Sequence, residues 1–169
     1  MTKYVALLRA VNLGPHNKLP MAELKSMCDS AGFCNARTYI ASGNVIFESK
    51  LSESSVKAKL GKCMAIYAGK LVDVIVRTGP ELAAVLAGNP FKSDPPNGVV
   101  AIFLDGPPPK DTLKTLTGQG EEKVALGERE IYVHYGKGMG RTKLKIPAAR
   151  HGTARNMNTV AKLAELTAG

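Results

Sequence analysis

Four stretches of the chain gather polar and basic side chains beyond what a connection requires. The first is Arg9-Ala10-Val11-Asn12-Leu13-Gly14-Pro15-His16-Asn17-Lys18. Backbone N–H groups at a helix start can hold an anion there, with Asn12 in the loop and Arg9 or Lys18 adding charge. The second is Arg37-Thr38-Tyr39-Ile40-Ala41-Ser42-Gly43-Asn44. Ser42 and Asn44 are ordinary turn residues, whereas Arg37 inside a strand is less ordinary. The third runs from Tyr135 to Lys143, where Gly136, Gly138 and Gly140 alternate with other residues ahead of Arg141 and Lys143. Alternating glycines let the backbone approach a ligand, and successive N–H groups can form an anion nest. The fourth is the start of the last helix, where Thr153 can cap a first turn holding Arg155, Asn156 and Asn158. A cation at the positive end of a helix dipole costs about 0.3–1 kcal/mol, a cost that an anion seated there would offset. The expectation is one anion site shared by Arg155 and the Tyr135–Lys143 loop. Solvated turns and a solvated arginine are the plainer reading of the same residues, and both stay open.

Standard catalytic signals are poor. His16, His134 and His151 are scattered without the spacing of a metal site, so no metal is expected. The glycine run is neither of the nucleotide-binding fingerprints, no G-x-S-x-G elbow occurs, and no cofactor is expected. Glu121 and Glu122 lack apolar surroundings that would tune a carboxyl. Cys28, Cys34 and Cys63 are odd in number and lack C-x-x-C spacing, so they read as reduced thiols filling apolar space.

The elements that must position these residues follow from periodicity. Tyr4–Arg9 reads as a buried strand, and Met21, Leu24, Met27, Cys28 and Ala31 recur at helical spacing up to Gly32. Strands over Asn35–Ile40 and Asn44–Phe47 flank a short turn. A helix capped by Ser52 carries Val56, Leu60, Cys63, Met64 and Tyr67 on one face, and Leu71–Val76 is another strand. The order β-α-β-β-α-β is that of a ferredoxin-like plait. A short helix at Pro80–Ala87 precedes the Pro/Gly-rich stretch 88–98, where the subdomain boundary is expected. Beyond it, a strand Val99–Leu104, a helix Asp111–Leu116, a hairpin of Lys123–Leu126 with Glu130–Tyr135, and a helix Arg155–Leu166 give β-α-β-β-α. The second plait thus lacks a closing strand. The fold class expected is α+β: two ferredoxin-like (α/β-plait) subdomains, residues 1–88 and 89–169, each an antiparallel sheet with helices.

At 169 residues and 44% hydrophobic composition, such a chain can bury a core without a metal or disulfide staple. No apolar run approaches the ~18 residues that span a bilayer, and Arg9 cuts the N-terminal run too short for a signal peptide. A cytoplasmic protein with no membrane partner is expected. The net charge is +9, and Ile131–Ala164 carries Lys137, Arg141, Lys143, Lys145, Arg150, Arg155 and Lys162 with no acid. Such segments attract anions or simply keep a protein soluble.

The runs Ala6-Leu7-Leu8-Arg9-Ala10-Val11-Asn12-Leu13-Gly14 and Arg37-Thr38-Tyr39-Ile40-Ala41-Ser42-Gly43-Asn44-Val45-Ile46-Phe47, with Thr153-Ala154-Arg155-Asn156-Met157-Asn158-Thr159-Val160, resemble the bacterial family catalogued as domain of unknown function 1697. The resemblance implies two α/β-plait subdomains and no established activity. The chain departs from the pattern at Pro15 and His16, where a second glycine is usual, and at Met157, where an aromatic is usual. Three function classes stay open: a module binding an anionic or phosphorylated small molecule, a single-stranded nucleic-acid binder using sheet aromatics such as Tyr4 and Phe47, and an enzyme with dispersed acid/base groups.

Overall fold

A computed structural model describes residues 1–9, 20–39, 43–69, 71–136 and 139–168, without the side chains of Met21 and Met139. The chain divides into two compact units, one of residues 1–80 with those from Glu165 onward, the other of residues 81–164.

The first unit holds β1 (Thr2–Leu8), α1 (Met21–Ser30), β2 (Cys34–Tyr39), β3 (Asn44–Ser49), α2 (Glu53–Ala68) and β4 (Val74–Thr78). Its sheet has the order β2-β3-β1-β4, every adjacent pair antiparallel, which is the ferredoxin-like order expected from the sequence. Alternate residues of a strand point to opposite faces. On one face Tyr4, Ala6 and Leu8 pack with Phe47, Val74 and Val76 against Leu24 of α1 and Leu60 of α2. Phe33 and Phe47 stack with ring centroids 4.5 Å apart. Ser52 caps α2, its hydroxyl accepting from the Ser55 N–H, and Gly69 ends it at φ 71°, a left-handed conformation that favours glycine. The opposite face is also buried: Val5, Leu7, Ile46, Ile75 and even Arg77 are at most 4% exposed.

The second unit holds most of α3 (Gly79–Ala87) and of α4 (Met157–Leu166), with β5 (Val99–Phe103), β6 (Lys123–Leu126), β7 (Glu130–His134) and β8 (Thr153–Asn156). Its sheet repeats the order, β6-β7-β5-β8, again wholly antiparallel. The protein is therefore α+β, with two four-stranded antiparallel sheets and packed helices. One face of the second sheet (Val100, Ile102, Ile131, Val133) is covered by Leu144, Ile146, Ala148 and Ala149 from the connection after β7. On the other face Val99, Ala101, Phe103 and Tyr132 are buried, and the Tyr132 hydroxyl donates to the Val85 carbonyl of α3 at 2.7 Å.

Two elements differ from expectation. The helix expected over Asp111–Leu116 is a single 3₁₀ turn, Thr112–Lys114. The Thr112 and Thr115 hydroxyls donate to the carbonyls of Pro109 and Thr112, closing the turn locally instead of propagating a helix. The closing strand missing from the sequence reading exists as β8, and the last helix begins at Met157 instead of Arg155. The open edge of β5 takes Thr153–Asn156 as its partner, a tertiary demand that local propensity does not register.

Cys28, Cys34 and Cys63 form no disulfide. Cys28 lies fully buried in the first core, and burial, followed by Asp29 and Cys63, pushes its thiol up to about 11. Because the thiolate is the nucleophile, a C34S/C63S variant is expected to react with a thiol reagent at neutral pH only after denaturation. Prompt labelling of the native variant would contradict the burial of Cys28.

Candidate functional site

The predicted site residues scatter, and most of the arginines already serve the fold. Arg9 follows β1, its Nη1 3.6 Å from Asp73 Oδ2, while its N–H donates to the Asp73 carbonyl. Arg37 lies on edge strand β2 and donates to the Leu166 carbonyl at 3.1 Å. Arg37 is level with Ile46, which is level with Val5, so Arg9 lies four residues further along the sheet, ~13 Å at 3.3 Å per residue. These two do not share one small site. Asn12, Lys18 and Gly138 lie outside the described residues.

Arg155 is a strand residue opposite Ala101, one position ahead of the helix cap instead of inside the first turn of the helix. Its Nη1 donates to the Ala154 carbonyl at 2.8 Å, and burial draws its guanidinium down to about 10. The helix cap is Asn156, whose Oδ1 accepts from the Thr159 N–H at 2.9 Å. Thr153 is buried with no hydrogen-bond partner for its hydroxyl among the described residues, and Asn158 is exposed on α4. Arg155 shares the face of Ala101 and Tyr132, whereas Tyr135 packs with Val133 on the other. The sheet therefore separates Arg155 from the Tyr135 ring. That ring's hydroxyl is raised by burial and then by Glu122.

What remains is the connection from Met139 to Ile146. Arg141, Lys143 and Lys145 are exposed, while Thr142, Leu144 and Ile146 are half-buried, and Leu144 and Ile146 pack on the second core. Arg141 ends a 3₁₀ turn, Met139–Arg141, and in the stretch that follows Lys143 and Lys145 alternate with the packed Leu144 and Ile146. The segment is pinned from beneath. Lys145 and Thr117 exchange both backbone hydrogen bonds, at 2.8 and 3.1 Å. The Thr142 hydroxyl donates to Glu122 Oε1 at 2.8 Å, and the Gly120 N–H donates to Oε2 of the same carboxylate at 2.6 Å. These bonds, the hydroxyl first, hold the Glu122 carboxyl below its usual range. Their contribution is present above the ordinary carboxylate range and lost as pH falls through the lowered one. Neutral donors thus satisfy Glu122, and none of the three cations forms an ion pair among the described residues. Lys145 and the Glu122–Thr142 pin were missed in the sequence; the apolar alternation of Leu144 and Ile146 was the available signal.

Other concavities fit an anion less well. A cavity of about 270 Å³ in the second unit is lined by Glu81, Glu128 and Glu130 against one arginine, Arg129, itself 3.7 Å from Glu81. Its charge has the wrong sign. A shallow cleft of about 370 Å³ in the first unit carries Lys50 and Lys59 beside Met1, Ala31 and Leu51. Tyr4 and Phe47, the aromatics that could stack bases, are buried at 4% and 0%, and the Tyr4 hydroxyl donates to the Leu51 carbonyl. Among the described residues no group of three or more His, Cys, Asp or Glu can hold a metal, and no helix is long and apolar enough to cross a membrane.

Residues 1–132 match the family described as "Protein of unknown function (DUF1697)". The structure of conserved bacterial protein SP0830 from Streptococcus pneumoniae is similar at 25% identity and a TM-score of 0.82, over 100% of this chain and 99% of that one. No curated protein matches.

Gly118 tests the pin. It sits at φ 69°, and a Cβ there would collide with the Lys143 carbonyl. Gly118→Ala is expected to destabilise by about 1–3 kcal/mol in urea unfolding. Gly106→Ala, with open space around it, is expected to be neutral or slightly stabilising. Equal effects would contradict the close approach.

Proposed function

The chain belongs to the DUF1697 family of proteins of unknown function, and from that premise we propose that it binds an anionic or phosphorylated small molecule on the Arg141–Lys145 segment. The observation that carries this reading is the alternation along that segment. Three exposed cations stand on a backbone whose intervening side chains are packed or hydrogen-bonded. Guanidinium and ammonium groups bind phosphate through charge-assisted hydrogen bonds. A pinned backbone lowers the conformational entropy that ligand binding must otherwise remove. Tyr135 flanks the segment, its N–H donating to the Gly98 carbonyl at 2.8 Å, which fixes the chain where it leaves β7.

Ligands that bind only the folded state raise the melting temperature. Sulfate, phosphate and sugar phosphates are expected to stabilise the wild-type protein, and R141Q/K143Q/K145Q to abolish that shift while unfolding at nearly the same temperature without ligand. K25Q/K50Q/K59Q removes the same charge from the first unit, two of its lysines lining the cleft there, and should keep the shift. Loss of the shift in that control alone, or equal shifts in all three proteins, would overturn the reading.

A further inference from the structure

Resting on that reading, we infer that the segment recognises a linear chain of phosphates, gripping it through the phosphates alone. The cations lie along one stretch of chain instead of lining a cavity. Lys143 and Lys145 alternate with inward-facing neighbours, their α-carbons ~6.6 Å apart at about 3.3 Å per residue in extended chain, and Arg141 stands at the head of the row, at the end of the 3₁₀ turn Met139–Arg141. Lys145 is locked in extended conformation by its paired bonds with Thr117. Leu144 and Ile146, anchored on the second core, prevent the segment from curling its cations inward around a single anion. A row of charges at regular intervals matches a ligand whose charges also repeat along a line.

The manner of recognition follows from what is missing beside the row. Base readout of single strands uses aromatic platforms and hydrogen bonds to base edges. In the second unit Phe103 and Tyr132 are at most 3% exposed, Tyr132 spends its hydroxyl on Val85, and the half-buried Tyr135 packs on the second core. Contacts to phosphate alone are independent of sequence and strongly dependent on salt.

The test is a competition and salt titration with fluorescent oligothymidylate, unlabelled oligodeoxyadenylate, inorganic polyphosphate and orthophosphate. Three phosphate contacts predict a log–log salt slope of about −2 at ~0.7 per contact on a single strand, and each of R141Q, K143Q and K145Q should reduce its magnitude by about 0.7. Oligodeoxyadenylate and polyphosphate should displace the probe comparably, and orthophosphate only at far higher concentration. Orthophosphate competing as well as the chains, with a slope near −0.7, would overturn the linear-chain inference and leave the small-anion reading standing. A preference between the two oligonucleotides, or failure of polyphosphate to compete, would overturn recognition through phosphate alone. Binding of any of these probes that is indifferent to R141Q/K143Q/K145Q, or no binding of any, would overturn both.

Discussion

β1 and β5 run through the interior of their sheets, and each is buried on both faces over most of its length. In β1 the residues from Tyr4 to Leu8 are at most 4% exposed, and in β5 those from Val99 to Phe103 at most 7%. A strand covered on both faces has every side chain committed to packing, which is why these segments read as unbroken apolar runs. The sheet faces are therefore closed along these central strands, and the function proposed above places the ligand on a connection instead.

In the first unit those connections include the two helices of an ordinary plait. In the second, 3₁₀ turns stand where a plait has crossover helices, and the chain after β7 crosses the sheet face itself, contributing Leu144 and Ile146 to the core. Lining a core with an extended segment has a geometric consequence, because every second residue must then face water. Lys143 and Lys145 occupy those positions, and the exposed Arg141 ends the 3₁₀ turn just before them. The same physics removes other cations from consideration. Arg77 is 1% exposed and bonded to the Val76 carbonyl, Arg9 faces Asp73, and Arg155 is desolvated beside its own strand. Those cations serve the fold, whereas Arg141, Lys143 and Lys145 stand in water.

The first plait was legible in the sequence because its helices carry apolar stripes and recognisable ends, Ser52 and Gly69 above all. The second was legible in strand order as far as the hairpin. β8 was not, since Thr153–Asn156 is a strand only because β5 needs a partner, and Asn156, which caps α4, hid among residues that all suit a helix start. That error moved Arg155 from a strand, one residue ahead of the Asn156 cap, into the first turn of the helix. The basic loop was legible as a charge run and a glycine run. Its alternation became meaningful only once Leu144 and Ile146 had a core to face, and the bonds from Thr142 to Glu122 and between Thr117 and Lys145 join residues 20 or more apart, beyond any local pattern.

The proposed ligand sits on the pinned basic segment, away from the closed faces of the sheets. Amide chemical-shift mapping during titration with polyphosphate addresses it most directly. The account predicts shifts concentrated at Arg141–Lys145 and at the Thr117–Glu122 stretch beneath it, with β1, β3 and β5 unperturbed. Shifts centred on those strands, or on the cleft of Lys50 and Lys59, with a silent Arg141–Lys145 segment would contradict it.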